Sequence, residues 1–205
     1  MTVSILPRRF QEEEEESKKD LRKPEDALAE RFLKTRTILL TGEIDKDQGE
    51  RIIRSLLMLE SLSDEPVNLL IDSPGGDVDA GFAIFDMIRF VKCPVRILGM
   101  GLVASAAALV LLAVPKERRF ALPNSHYLIH QPLSGLRGVA TEIEIHAREL
   151  EKTRERINRI IAEETGQTME RVQKDTDRDY WMSADEAQAY GLISRIGVRR
   201  DELGL

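Results

Sequence analysis

The feature that most restricts how this chain can fold is the run Gly99-Met-Gly-Leu-Val-Ala-Ser-Ala-Ala-Ala-Leu-Val-Leu-Leu-Ala113, with Ser105 near its middle. Nothing in its second half faces water comfortably, so the segment has to lie inside the molecule, as a buried helix. The glycines at 99 and 101 admit a tight backbone path ahead of that helix. A serine placed where a strand and turn feed such a helix holds its hydroxyl at the turn, beside N–H groups that a helix start leaves free. That hydroxyl reads in two ways: as a small core filler among alanines, or as a nucleophile beside an anion-stabilising site. The choice turns on whether the rest of the chain supplies a base and an orienting carboxylate.

Several function classes drop out first. With 205 residues, 42% hydrophobic and 5% aromatic, the chain suits one compact domain with an aliphatic core. A net charge of −6 argues against a nucleic-acid partner, whose binders carry basic patches. The single cysteine, Cys93, cannot form an internal disulfide, which fits a reducing, cytoplasmic setting. The longest uncharged stretch, Ile97 to Pro115, is diluted by glycine, serine and alanine and is no bilayer span, so no membrane partner is expected. The N-terminus lacks an apolar secretory segment and is too acidic for a transit peptide.

Taken in order, residues 1–25 read as a flexible charged segment, with Arg8-Arg9, the run Glu12 to Glu16 and Lys18-Lys19. Val3, Ile5 and Leu6 are its apolar start, able to dock on a partner. Residues 26–205 read as a single domain, opening with Leu28, Phe32 and Leu33 at helical spacing. From Thr37 strands and helices alternate. Ile38 to Leu40 and Val67 to Ile71 are buried strands, and Cys93 to Leu98 is a third. A helix begins at Asp45 with Ile52, Ile53, Leu56, Leu57 and Leu59 recurring at helical intervals, and a second places Val78, Phe82, Phe85 and Ile88 on one side. This succession predicts an α/β domain with largely parallel strands. Ligand sites in such folds lie past the carboxyl ends of the strands, where Gly75-Gly76 and Ser105 both fall.

The Asp72-Ser-Pro-Gly-Gly76 stretch is a turn that lacks the spacing of a nucleotide cradle. Beyond plain turn chemistry, its functional reading is a Gly76 N–H offered to a substrate oxygen with no side chain in the way. Arg119 to Leu122 and His126 to Ile129 read as strands, and His130 ends the second. Among three histidines it is the best candidate base, since His126 lies within the strand and His146 among charged helix residues. Val139 to Glu164 predicts one helix about 40 Å long. Its narrow stripe of Ile143, Ala147, Leu150, Ile157, Ile160 and Ile161 suits pairing with the like helix of another copy; a surface helix on its own core is the other reading. Leu133 to Gly138 forms a flexible edge that could pair with a substrate strand or a neighbouring subunit. A short helix over Met169 to Lys174 leads to three aspartates, at 175, 177 and 179, ahead of Tyr180-Trp181. One of them, set against the aromatic pair, could be partly buried and turned toward a histidine. Ser183 and Glu186 form a capping box for a helix ending near Gly191, and Leu192 to Ile196 is a final strand.

Gly-Met-Gly-x-x-Ala-Ser, then His-Gln-Pro, then Asp-x-Asp-Arg-Asp-Tyr-Trp-Met-Ser-Ala-x-Glu-Ala, together with the earlier Ser-Pro-Gly-Gly, closely resemble the proteolytic subunits of the caseinolytic (Clp) proteases. The stretch Ala140-Thr-Glu-Ile-Glu-Ile-His-Ala-Arg-Glu149 is nearly the family's own, and the resemblance runs from about Thr37 to Ile196. It implies the fold of that family, shared with crotonases: repeated strand-strand-helix units and a protruding handle helix at about 139–164. It implies a serine endopeptidase with Ser105 as nucleophile, His130 as general base and Asp179 orienting the imidazole. The backbone N–H groups of Gly76 and Ala106 would form the oxyanion hole, and Gly75, Pro132 and Leu133 would contact substrate. Asp177 and Arg178 would make contacts between subunits. No metal or cofactor is implied, ATP being used only by a partner AAA+ unfoldase that delivers unfolded chains. The implied assembly is two stacked heptameric rings.

The chain departs from the family in three places. Ala106-Ala107 stand where Met-Gly usually follows the serine, which bears on packing or on the substrate pocket. The aromatic residues common in the unfoldase-docking cleft are missing along Asn68 to Leu70, although Phe90 remains. The acidic N-terminus is unlike the usual short axial loop. These departures raise a mixed assembly with a paralogue, and with it the alternative of a mainly structural or regulatory subunit. An acyl-CoA-handling enzyme of the crotonase type is the third reading, and it lacks support in catalytic carboxylates.

Overall fold

The computed structural model describes residues 31–32, 34–135 and 137–205. The expectations for the charged segment 1–25, and for Leu28 and Leu33, lie outside the described residues. Thr37–Leu205 forms one compact unit; the chain up to Arg36 is a separate one.

Alternation of strand and helix governs the first half. Strand β1 (Thr37–Ile44) is followed by helix α1 (Lys46–Leu62), β2 (Val67–Gly76), α2 (Val78–Phe90), β3 (Val95–Ala104) and α3 (Ala106–Leu111). Beyond a 3₁₀ turn come β4 (Arg119–Ala121), β5 (His126–Ile129), the long helix α4 (Ala140–Thr165), α5 (Met169–Asp175), β6 (Tyr180–Ser183), α6 (Ala184–Tyr190), β7 (Arg195–Ile196) and α7 (Arg200–Leu203). The helices start where the sequence supplies caps. The carboxylate of Asp45 accepts the Gln48 N–H at 2.7 Å and that of Asp77 accepts the Ala80 N–H at 2.8 Å. Ser183 and Glu186 form the expected capping box.

The sheet runs β1-β2-β3-β4-β7, all parallel, and β5 joins β3 in parallel before pairing antiparallel with β6. Register shifts at Thr41/Glu43 in β1 and Ile71/Ser73 in β2 divide each strand into two stretches, which gives the strand-strand-helix unit. In β3, residues 97–99 pair with β4 and residues 102–104 with β5. The sheet therefore branches at Gly101, which takes φ 55° and carries the strand past Asp72. Two expectations change here. Asp72–Gly76 continues β2 as extended strand instead of a turn, and Gly99–Ala104 belongs to β3, so the buried helix is only six residues long. Ladder pairing with a neighbour is worth more to this backbone than its composition indicates.

Ile52, Leu56 and Leu59 of α1 and Phe82, Phe85 and Ile88 of α2 are buried, and α3 is buried on every side. Leu57, expected among the core positions, is 42% exposed. A separate cluster of Leu98, Phe120 and Leu203, flanked by Leu70, Leu122 and Leu205, lies under α7.

The two halves of α4 differ. From Ala140 to Glu149 every residue is exposed, including Ile143 and Ile145. Further along, Ile157 and Ile161 are buried in this subunit's own core. The single apolar seam read from the sequence is thus two surfaces, one exposed and one already packed. The packed end is fixed by charge: the fully buried Arg119 guanidinium donates to the Val114 and Glu164 carbonyls at 2.7 and 2.9 Å and pairs with the Glu164 carboxylate, which Arg89 also reaches at 2.5 Å. Burial pulls the Arg119 guanidinium below its ordinary value and Glu164 opposes that shift.

Candidate active site

Ser105 sits between β3 and α3 with φ 54° and ψ −123°, a conformation that a residue with a Cβ seldom adopts. Such a backbone costs about 1–3 kcal/mol and persists only where its surroundings hold it. Here the Ser105 N–H donates to the Leu128 carbonyl at 2.9 Å, and its carbonyl accepts from Ala108 and Leu109 at 3.0 and 3.2 Å. The side chain is half-buried at the surface of the turn, not sealed in the core.

The Pro-Gly-Gly end of β2 presses on this turn. A Cβ at Gly75 (φ 88°) would lie 2.6 Å from the Ala104 carbonyl oxygen and 2.8 Å from both the Ala106 nitrogen and the Ser105 Cβ. Only glycine permits that approach. The Gly75 N–H is itself taken by Ser73 Oγ at 3.1 Å. Gly76, at φ 148°, lies against Ile44 of β1. Ala106 heads α3, where the first N–H has no acceptor within the helix.

His130 follows β5 directly. Its Nε2 is 2.8 Å from Ser105 Oγ and its Nδ1 is 3.0 Å from Asp179 Oδ1. The three side chains come from the β3–α3 turn, the end of β5 and the approach to β6, and the antiparallel pairing of Ile129 with Tyr180 sets the last two side by side. An imidazole bridging a hydroxyl and a carboxylate can take the hydroxyl proton while its other nitrogen stays hydrogen-bonded. The His130 side chain is 14% exposed and that of Asp179 61%. The aspartate set among aromatic residues is instead Asp175, 13% exposed, paired with Arg171 at 3.3 Å. Its charge and burial together raise the Tyr190 hydroxyl well above the usual phenol value, burial contributing most. Sequence spacing alone does not separate these two carboxylates; the β5–β6 register does.

Beside Ser105 lies a narrow pocket of about 20 Å³ lined by apolar side chains, among them Val78, Leu109, Ile129, Pro132, Ile157 and Ile161. Leu133 is 81% exposed and borders a neighbouring hollow with His130, Gln131 and residues 177–179. Ala107, whose departure from the family pattern bears on this pocket, is fully buried and does not line it. Asp177 pairs within its own subunit with Arg154 at 3.4 Å, while Arg178 is 90% exposed and comes no nearer than 3.9 Å to Asp177. The sequence reading missed Gln131, Asn158 and Thr176. The Gln131 N–H donates to the Thr176 carbonyl and its Nε2 to the Asp177 carbonyl, both at 2.7 Å. Among the described residues no group of three acidic, histidine or cysteine side chains could hold a metal ion, and no helix is long and apolar enough to cross a membrane.

Comparisons with known proteins bear on the family of the chain. The Clp protease family model matches residues 22–200. The ATP-dependent Clp protease proteolytic subunit 2 of Treponema denticola is 62% identical over 195 residues, covering 95% of this chain and 98% of the relative. Its namesake from Treponema pallidum is 62% identical over 180 residues, covering 87% and 90%. A solved structure of a ClpP1 point mutant from Listeria monocytogenes superposes with a TM-score of 0.81 at 48% identity, over 86% of this chain and 99% of that one. The chain belongs to the Clp protease family, as a relative of its proteolytic subunits.

Proposed function

We propose that this chain is a serine endopeptidase subunit in which Ser105, His130 and Asp179 act as a catalytic triad. The observation that carries the proposal is the imidazole of His130 within hydrogen-bond distance of both the Ser105 hydroxyl and the Asp179 carboxylate. Neutral His130 takes the Ser105 proton at Nε2 as Oγ attacks the peptide carbonyl. Asp179 keeps the Nδ1 proton in place and stabilises the imidazolium that forms. The tetrahedral oxyanion is met by the N–H groups of Gly76 and Ala106, each such donor being worth about 3–4 kcal/mol. His130 then gives its proton to the leaving amine, and water hydrolyses the acyl-Ser105 ester by the same route. This chemistry needs neither metal nor cofactor. The apolar pocket beside Ser105 supports cleavage after apolar side chains, with Pro132 and Leu133 flanking the substrate and Gly75 shaping the turn behind it.

The assembly is two stacked heptameric rings enclosing a chamber, to which an AAA+ unfoldase delivers unfolded polypeptide and in which ATP is spent only by that partner. The exposed first half of α4, with Ile143 and Ile145, supports contact between rings, and Asp177 and Arg178 border the hollow beside His130. The number in the relatives' names, subunit 2, supports a second subunit type beside this one in a cytoplasmic mixed assembly. Labelling with a fluorophosphonate probe tests the proposal. The assembled protein should form one adduct per subunit, at Ser105, and Ser105→Ala should form none. An unlabelled wild-type protein in its assembled form, with or without a paralogue, would leave only a structural role.

A further inference from the structure

The Asp179 carboxylate is 61% exposed, so packing around the side chain does not fix it. What fixes it lies upstream, at a buried polar pair. Asn158 stands on the packed half of α4 at 2% exposure, between the core-facing Ile157 and Ile161. A polar amide on the apolar side of a helix is costly unless it is hydrogen-bonded. Its Oδ1 lies 2.8 Å from the hydroxyl of Thr176, itself fully buried. The same hydroxyl lies 2.8 Å from the Val172 carbonyl, an acceptor four residues back that any serine or threonine ending this helix would reach. The hydroxyl has one proton for these two acceptors, and the contact with Asn158 is the one that crosses between elements.

From Thr176 the link continues through backbone. The carbonyls of Thr176 and Asp177 accept the two Gln131 N–H donors, and Gln131 is the residue after His130. The base and the carboxylate are therefore carried on two segments clamped side by side, and that clamp is tied to α4 at Asn158. The same turn of α4 supplies Ile157 and Ile161 to the pocket beside Ser105.

We propose that Asn158 and Thr176 are positioning residues, whose hydrogen bond ties the Asp179 loop to α4 and so holds Asp179 in register with His130. The proposal rests on the peptidase reading above for its kinetic consequence, but not for its geometric one. The test uses the full-length assembled protein with Thr176→Val, Thr176→Ser and the double variant Asn158→Leu/Thr176→Val. Thr176→Val should lower kcat for a short peptide about 10²-fold with KM changed less than about 2-fold, and Thr176→Ser should restore it. The double variant removes both buried polar side chains; it should regain the melting temperature of the wild type but not its kcat. Crystal structures of the valine-bearing variants should show the His130–Asp179 contact, 3.0 Å here, opened beyond hydrogen-bond range. Recovery of full kcat by the double variant, or an unchanged His130–Asp179 contact, would overturn the proposal. A wild-type protein that no fluorophosphonate labels would sink the peptidase reading instead, and the His130–Asp179 separation would still decide the positioning role.

Discussion

The two sides of the site are held by opposite means. On one, Ser105 keeps a strained backbone because β5, the Pro-Gly-Gly end of β2 and the buried α3 surround it. On the other, Asp179 sits on a loop exposed to solvent, positioned by bonds made at Thr176, Asp177 and Gln131. The Ser105 turn is thus built onto the core, where disturbing it disturbs the fold. The Asp179 carboxylate is attached from outside, where geometry can change with little loss of stability.

The largest effect should come from the adjustable side and appear in rate alone. Asp179→Asn keeps the shape but offers His130 an amide, and loss of the orienting charge in such a triad costs about 10⁴-fold in kcat. Because the side chain is mostly exposed, the melting temperature should stay within a few degrees of wild type. Steady-state peptide hydrolysis and calorimetry on the same preparation check both halves. Strong destabilisation would break the contrast.

Gly75→Ala should do the reverse, acting on fold and rate together. The new Cβ meets backbone on two sides at 2.6 and 2.8 Å, and φ 88° adds strain. A loss of about 3 kcal/mol or more is expected, read by denaturant unfolding, with activity falling in parallel. A stable but inactive variant would show that the β2 end can shift without the core.

This difference also explains what the sequence revealed. The strand-helix alternation, the helix starts at Asp45 and Ser183 and the candidates Ser105 and His130 were legible, because each rests on local chemistry or on periodic burial. The resemblance picked Asp179 from three aspartates; periodicity did not, since the selection lies in the pairing of Ile129 with Tyr180 across 51 residues of sequence. Asn158 and Thr176 escaped because one buried amide in a charged helix looks like any other solvated polar residue until its face is known. The helix at 106–111 came out shorter than its composition indicates, because ladder partners for residues 102–104 come from β5, farther along the chain.

Alkaline pH offers a graded probe of the core-built side. The Tyr127 hydroxyl in β5 is pushed up to about 12 by burial, against 10 when exposed, although its bond with Ser125 at 3.1 Å opposes the shift. A raised phenol keeps its proton in the folded state while the unfolded chain loses it. Stability should therefore be intact below pH 10 and decline as pH rises toward 12, by about 2–3 kcal/mol in all. Tyr127→Phe should remove that decline. Denaturation midpoints at pH 9 to 12 check it, and an equal decline in the phenylalanine variant would assign it elsewhere.

The smallest effect should come from the outermost contact on the adjustable side. Arg154 on α4 reaches Asp177 at 3.4 Å, with their side chains 27% and 55% exposed. A pair this open to water contributes less than about 1 kcal/mol and weakens in salt. Arg154→Gln should therefore change kcat less than about 2-fold and leave the melting temperature nearly unchanged, since Thr176 and Gln131 still hold the loop. Peptide hydrolysis at low and high ionic strength checks this. If Arg154→Gln instead matched the loss expected for Thr176→Val, the loop would be governed by surface charge and not by the buried Asn158 contact, and the carboxylate would answer to ionic strength as much as to the position of α4.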